Sequence, residues 1–170
     1  MKLNLGCCDL PLPKEDGWLN VDNSTSPHIK ADIEANVLRL DEHFNPETID
    51  EIYAGHLVEH LYPQEAEAAI RQWYALLKPG GIIGITTPDF RYIAGAYLTG
   101  VPGFSVKELI HTYLFSYKQE SHHRTIWDVE SLTALLANAG FVAITECNRE
   151  EDLRIPFGAP WQVIVQGKKP

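Results

Sequence analysis

The chain has 170 residues, 45% of them hydrophobic and 22% charged, and a formal net charge of −9. That length suits one domain over residues 1–170 and lets roughly two-thirds of the unfolded surface be buried. The acidic balance, with 14 scattered Lys and Arg, disfavours nucleic acid and anionic membrane as partners. No apolar run approaches the roughly 18 residues of a membrane-spanning helix. Met1-Lys2-Leu3-Asn4 lacks the layout of a signal peptide, so a cytoplasmic setting is expected.

Lys2 to Leu5 reads as a short strand that ends on Gly6, and Trp18 to Val21 as a second strand that ends on Asp22. In an open α/β sheet ligands bind beyond the carboxyl ends of the strands. A glycine there lets backbone approach a ligand, and an acid there accepts hydrogen bonds from a ribose diol. The pair points to a nucleoside cofactor. Cys7 and Cys8 are adjacent and Cys147 is distant, which is neither zinc spacing nor a disulfide framework, so buried reduced thiols are expected.

Ile49 to Ala54 is a strand candidate followed by Gly55. Pro63 to Leu77 predicts a helix, with Ala66, Ala69, Ile70, Trp73, Leu76 and Leu77 on one apolar face and Pro63 in the first turn. Lys78-Pro79-Gly80-Gly81 stops it, and Ile82 to Thr87 reads as a buried parallel strand ended by Pro88. Residues 89–125 are rich in aromatics and predict an inserted helical cap with helices at Tyr92–Leu98 and Ser105–Ser116; packing of two ordinary core helices is the competing reading. Asp128 predicts an N-cap before the stripe Val129, Leu132, Leu135 and Leu136, with Gly140 at the helix end. Phe141 to Glu146 and Trp161 to Gln166 close the chain as an antiparallel pair. The expected fold class is therefore α/β, a Rossmann-like, mostly parallel sheet with an antiparallel C-terminal strand.

The segments L-N-L-G-C-C at 3–8, G-W-L-N-V-D at 17–22, A-D-I-E at 31–34, E-I-Y-A-G-H-L-V-E-H-L at 51–61, L-K-P-G-G at 77–81 and W-D-V-E-S-L-T-A-L-L-A-N-A-G-F at 127–141 occur in the order found in one family. On these pieces the chain resembles a small class I S-adenosylmethionine-dependent methyltransferase of the type 11 kind. The resemblance implies S-adenosyl-L-methionine as cofactor and methyl transfer to a small-molecule or sugar-like acceptor. It implies that Gly6 and Cys7 form the loop under the methionine moiety, and that Asp22 holds the ribose. Asp32 would lie near the adenine amine and Ile33 beside the ring, with Gly55 and His56 near the methyl group. His56 is the expected general base and Asp89 the second candidate.

Two departures from the family pattern stand out. Cys8 occupies the third position of a loop that usually reads G-x-G, which narrows the backbone's approach to a ligand. Pro11, Pro13 and Gly17 leave the first helix reduced or missing. Both predict weaker or more exposed cofactor binding.

Other readings remain. His56-Leu57-Val58-Glu59-His60 is an H-x-x-E-H pattern, the inverted zinc-peptidase signature. It follows a strand and is cut short by Pro63, which weighs against a helix that would place both histidines on one zinc. His60 could equally serve in a structural hydrogen bond. A dinucleotide-dependent oxidoreductase would need G-x-G-x-x-G opening a helix, and Cys7-Cys8-Asp9-Leu10-Pro11 fails that pattern. A non-catalytic binding module that keeps the fold is the third reading. His122-His123-Arg124 is a second polar cluster, suited to an acidic substrate group or to a solvated loop. The abbreviated fold and aromatic cap make a homodimer plausible.

Overall fold

In the computed structural model, which describes residues 1–24, 26–100, 105, 107, 110–111, 115, 122–148, 153 and 160–170, seven strands form one sheet. They are β1 (Lys2–Leu5), β2 (Trp18–Asp22), β3 (Ile33–Glu34), β4 (Ile49–Gly55), β5 (Leu77–Pro88), β6 (Val142–Glu146) and β7 (Gln162–Lys168), in the order β3-β2-β1-β4-β5-β7-β6. The first five pair in parallel, and β7 runs antiparallel to both β5 and β6. The antiparallel C-terminal strand expected from the sequence is present, one place in from the edge that β6 forms. The strand order reverses between β1 and β4, the point where such sheets open a crevice.

The helices with described bounds are α1 (Pro63–Leu76), α2 (Phe90–Thr99) and α3 (Val129–Ala139). α1 begins on Pro63, whose missing N–H costs nothing in the first turn. The backbone N–H of Tyr62 donates to Glu65 Oε2 at 2.8 Å, which closes that end. The apolar face predicted for α1 is buried in full, and Trp73 Nε1 donates to the Val37 carbonyl at 2.9 Å. α3 starts as expected on Asp128, which accepts from Ser131 N, and ends at Gly140 in left-handed conformation. One core cluster joins α1 and α3 to Leu3, Leu5, Ile52, Ala54, Ile83 and Ile85 on one face of the sheet.

Alternation sends Asn4 and Tyr53 to the opposite face. There the connection between β1 and β2 contains only a 3-10 turn at Lys14–Asp16, as the prolines predict. Polar groups do the covering. Asn4 Nδ2 donates to Asn20 Oδ1 at 2.8 Å, Leu12 N donates to the same oxygen at 2.7 Å, and Asn20 Nδ2 donates to the Leu12 carbonyl at 3.0 Å. Leu12, Trp18 and Tyr53 form a small apolar cluster beside this clasp.

β5 is longer than the sequence suggests. Leu77 pairs with Ile49 and Ile82 with Glu51, so the Lys78–Gly81 segment is a bulge inside the strand rather than a gap before it. Of the cap expected over 89–125, α2 realises the first helix, and the predicted helix Ser105–Ser116 falls mostly outside the described residues. Among the described residues no helix is long and apolar enough to cross a membrane. Of the three cysteines, Cys7 is buried as expected, whereas Cys8 is exposed and Cys147 partly exposed.

Candidate functional site

Because β2, β1, β4 and β5 are neighbours running in one direction, their carboxyl ends share one edge of the sheet. Gly6, Asp22, Gly55, His56 and Asp89 are all carried to that edge. Gly6 has φ +61°, and a Cβ built on it would lie 3.0 Å from Leu57 Cδ1, so the chain turns here in a conformation and a space that favour glycine. Cys7 N donates to the Val21 carbonyl at 3.2 Å.

Asp22 is buried at the end of β2. Its Oδ2 accepts from Cys8 N at 3.0 Å and its Oδ1 from Ser24 N at 3.0 Å. Two backbone donors thus fix the carboxylate while each oxygen keeps lone-pair capacity. The Cys8 departure has a role in this. Cys8 takes a left-handed φ of +48°, its side chain is exposed, and its N–H grips the acid.

Asp32 and Ile33 lie deeper. Ile33 pairs with Val21, and Asp32 N donates to the Asn20 carbonyl at 2.7 Å, so Asp32 sits below the strand edge. Its Oδ2 accepts from Asn20 N and Asn20 Nδ2, and its Oδ1 meets Lys14 Nζ at 2.5 Å. Burial pushes its carboxyl up, but the Lys14 and Asn20 hydrogen bonds prevail and hold it below the usual range. The carboxylate is engaged with the β2 loop clasp. Ile33 is half-buried and packs against the main core.

His56 follows β4 with φ +51°, an uncommon conformation for a residue with a side chain. Its N–H donates to the Thr86 carbonyl at 2.8 Å, which ties the ends of β4 and β5 together. Its Nδ1 lies 3.2 Å from Glu59 Oε1 and its ring packs at 5.6 Å from that of Trp161. Nε2 is buried, with no hydrogen-bond partner among the described residues. Burial drives the Glu59 carboxyl upward, yet the His56 hydrogen bond and the His56 and His60 charges outweigh it, so its net shift is downward. Asp89 caps α2 by accepting from Arg91 N at 2.9 Å, and its own N–H donates to the Trp161 carbonyl.

The H-x-x-E-H pattern lies on a strand end and a 3-10 turn at Val58–His60, not within a helix. Sequence reasoning missed what faces this turn. Arg124 N and Thr125 N both donate to the Glu59 carbonyl, and Arg124 Nη1 donates to that of His60 at 2.9 Å. His60 and His123 rings meet edge to face at 4.7 Å. A cavity of about 410 Å³ lies alongside, with Pro63, Phe115, His123, Arg124 and Trp127 in its wall.

A carboxylate acceptor beside an open backbone turn fits the ribose of an adenosyl-methionine group. A fixed acid, a glycine turn and the residue His56 stand at the carboxyl edge of one sheet. Fold and edge together define a class I methyltransferase. The methyltransferase-domain family model matches residues 13–146, and the chain belongs to that family. S-adenosylmethionine is accordingly its cofactor.

The fold is similar to that of a SAM-dependent methyltransferase from Archaeoglobus fulgidus, with TM-score 0.67 and 19% identity over 99% of this chain and 85% of that one. It is similar to a structure of the complex between the Haloferax volcanii Trm112 methyltransferase activator and a methyltransferase, with TM-score 0.66, 10% identity, and 99% and 82% covered. It is also similar to Haemonchus contortus phosphoethanolamine N-methyltransferase 2 in complex with S-adenosyl-L-methionine, with TM-score 0.61 and 14% identity over 99% of this chain and 48% of that one. No curated protein matches the chain.

Proposed function

We propose that this protein transfers the methyl group of S-adenosylmethionine to a small-molecule or sugar-like acceptor. The observation that carries the reading is the Asp22 carboxylate, fixed by Cys8 N and Ser24 N at the crevice where the Gly6 turn leaves β1. When bound, the cofactor supplies an activated sulfonium methyl. Asp22 would accept from the ribose hydroxyls, and the Gly6–Cys7 backbone would lie under the methionine moiety with Gly55 beside it. Asp32 would hold the wall on the adenine side through Asn20, with Ile33 flanking it.

His56 is the general base in this reading. With a proton on Nδ1 facing Glu59, the lone pair is on Nε2, which is where an acceptor's proton would go. Such a base contributes roughly 10²–10⁴-fold, and alignment of the acceptor supplies on the order of 7–11 kcal/mol. Asp89 remains the second candidate, although its helix-capping bond competes with that role. The net charge of −9 supports a non-nucleic-acid acceptor. A homodimer and a cytoplasmic setting belong to the same proposal, and gel filtration checks the first.

The test is calorimetry with S-adenosylhomocysteine on wild type and Asp22→Asn, followed by transfer of labelled methyl to a metabolite extract. Loss of a charged acceptor is worth about 1.5–3 kcal/mol, so Asp22→Asn should weaken binding roughly 10- to 150-fold. Equal affinity in the two proteins refutes the ribose assignment. His56→Ala should cut turnover and leave affinity almost unchanged; unchanged turnover removes His56 from the role. Cofactor binding without any transfer leaves a binding module.

A further inference from the structure

We propose that the turn after β4 carries a site for a zinc-class divalent ion, ligated by Glu59, His60 and His123 and opening onto the neighbouring cavity. One ligand atom from each of the three residues lies within 4.8 Å of the others. Zinc held by oxygen and nitrogen at about 2.0–2.2 Å needs its ligands about 3.3–3.5 Å apart, so a contraction of up to about 1.5 Å, within reach of side-chain rotation, closes the site.

The second observation is independent of that spacing. Glu59 is almost wholly buried, Oε1 faces His56, and Oε2 has no hydrogen-bond partner among the described residues. A buried carboxylate oxygen without a partner is a costly defect unless something cationic meets it. The donor set suits a borderline ion. Two imidazoles and one carboxylate favour zinc or its first-row neighbours over magnesium, which prefers all-oxygen surroundings.

The frame is built before any ion arrives. Residues 122–125 are fastened to the turn by Arg124 N and Thr125 N on the Glu59 carbonyl. Thr125 Oγ1 donates to the Val58 carbonyl at 3.2 Å, and His60 Nδ1 lies 3.3 Å from the carbonyl of His122. A carbonyl partner on one ring nitrogen is how metal-bound histidines are oriented. Three protein ligands leave a coordination position for water or for an oxygen of a molecule in the cavity that His123 and Arg124 line. Glu59 is a ligand here, not the water-activating base of the peptidase pattern, and the inference does not rest on the methyl-transfer reading.

The test uses untagged full-length protein, stripped with a chelator and titrated calorimetrically with zinc chloride, and separately with magnesium chloride. One equivalent of zinc should bind at least about tenfold more tightly than magnesium. His123→Ala, a partly exposed position, should weaken zinc at least about tenfold, and Cys8→Ser should leave it unchanged. Cobalt should give the visible absorption of a four- or five-coordinate ion in wild type and lose it in His123→Ala. Absence of zinc binding, equal affinity for magnesium, binding that survives His123→Ala, or binding lost with Cys8→Ser overturns the site.

Discussion

Replacing Gly6 by alanine probes the backbone corner at the end of β1. The residue sits at φ +61°, where an L side chain costs about 1–2 kcal/mol, and the new Cβ would stand 3.0 Å from Leu57 Cδ1. Leu57 must give way by a few tenths of an ångström, which moves the turn that carries His56. Alanine also stiffens the unfolded chain and returns about 0.4–1 kcal/mol. The net loss is about 1 kcal/mol, a fall in melting temperature of about 2–4 °C for a chain of this length. Gly17→Ala is the matched control. Gly17 has φ +85° with nothing within 4 Å of its virtual Cβ, so it carries the backbone strain without the contact. Differential scanning fluorimetry should show comparable losses for both. Calorimetry with S-adenosylhomocysteine should show about tenfold weaker binding for Gly6→Ala alone, or about 1.4 kcal/mol. Equal affinities in Gly6→Ala, Gly17→Ala and wild type would refute the reasoning.

Three further outcomes are expected. Trp73→Phe removes buried volume and leaves the Val37 carbonyl without its donor, a loss of about 2–4 kcal/mol by urea unfolding; a loss below about 1 kcal/mol contradicts it. The Lys78 hydrogen bond, then that of the N-terminal amine, lower the Asp50 carboxyl from 3.8 to about 2. A depressed folded-state value means stability present above 3.8 and lost as pH falls toward about 2, so Asp50→Asn should flatten the acid limb of a urea-midpoint profile, most clearly at low salt. Cys8→Gly removes the strain at φ +48° and keeps the N–H on Asp22, so S-adenosylhomocysteine should bind at least as tightly with no fall in melting temperature; a weaker complex would show that the thiol side chain contributes.

What the sequence made legible was punctuation and period. Pro63, the three- and four-residue spacing through Trp73 and the Asp128–Gly140 frame mark α1 and α3 because each signal is local. The strand ends at Gly6 and Asp22 were legible for the same reason, and the family match over residues 13–146 agrees with the motif order. Other features depend on distant partners. β3 has two residues and exists only through pairing with Val21 and Asp22. Lys78–Gly81 looks like a stop, yet Gly80 N donates to the Lys169 carbonyl and keeps β5 continuous. Asp32 bonds to Lys14 and Asn20, partners that its own segment does not announce. His123 meets His60 across 63 positions of sequence, and no local pattern announces such a pair.

The Asn4–Asn20–Leu12 clasp gives the molecule a thin wall where a helix's hydrocarbon would otherwise lie. Its strength resides in a handful of amide hydrogen bonds, which can let go singly without melting the seven-stranded frame. Anything seated against Asp22 gathers up the same loop through Cys8, so occupancy and order in this corner rise together. Amide exchange across residues 7–17 should therefore slow on loading far more than exchange in α1.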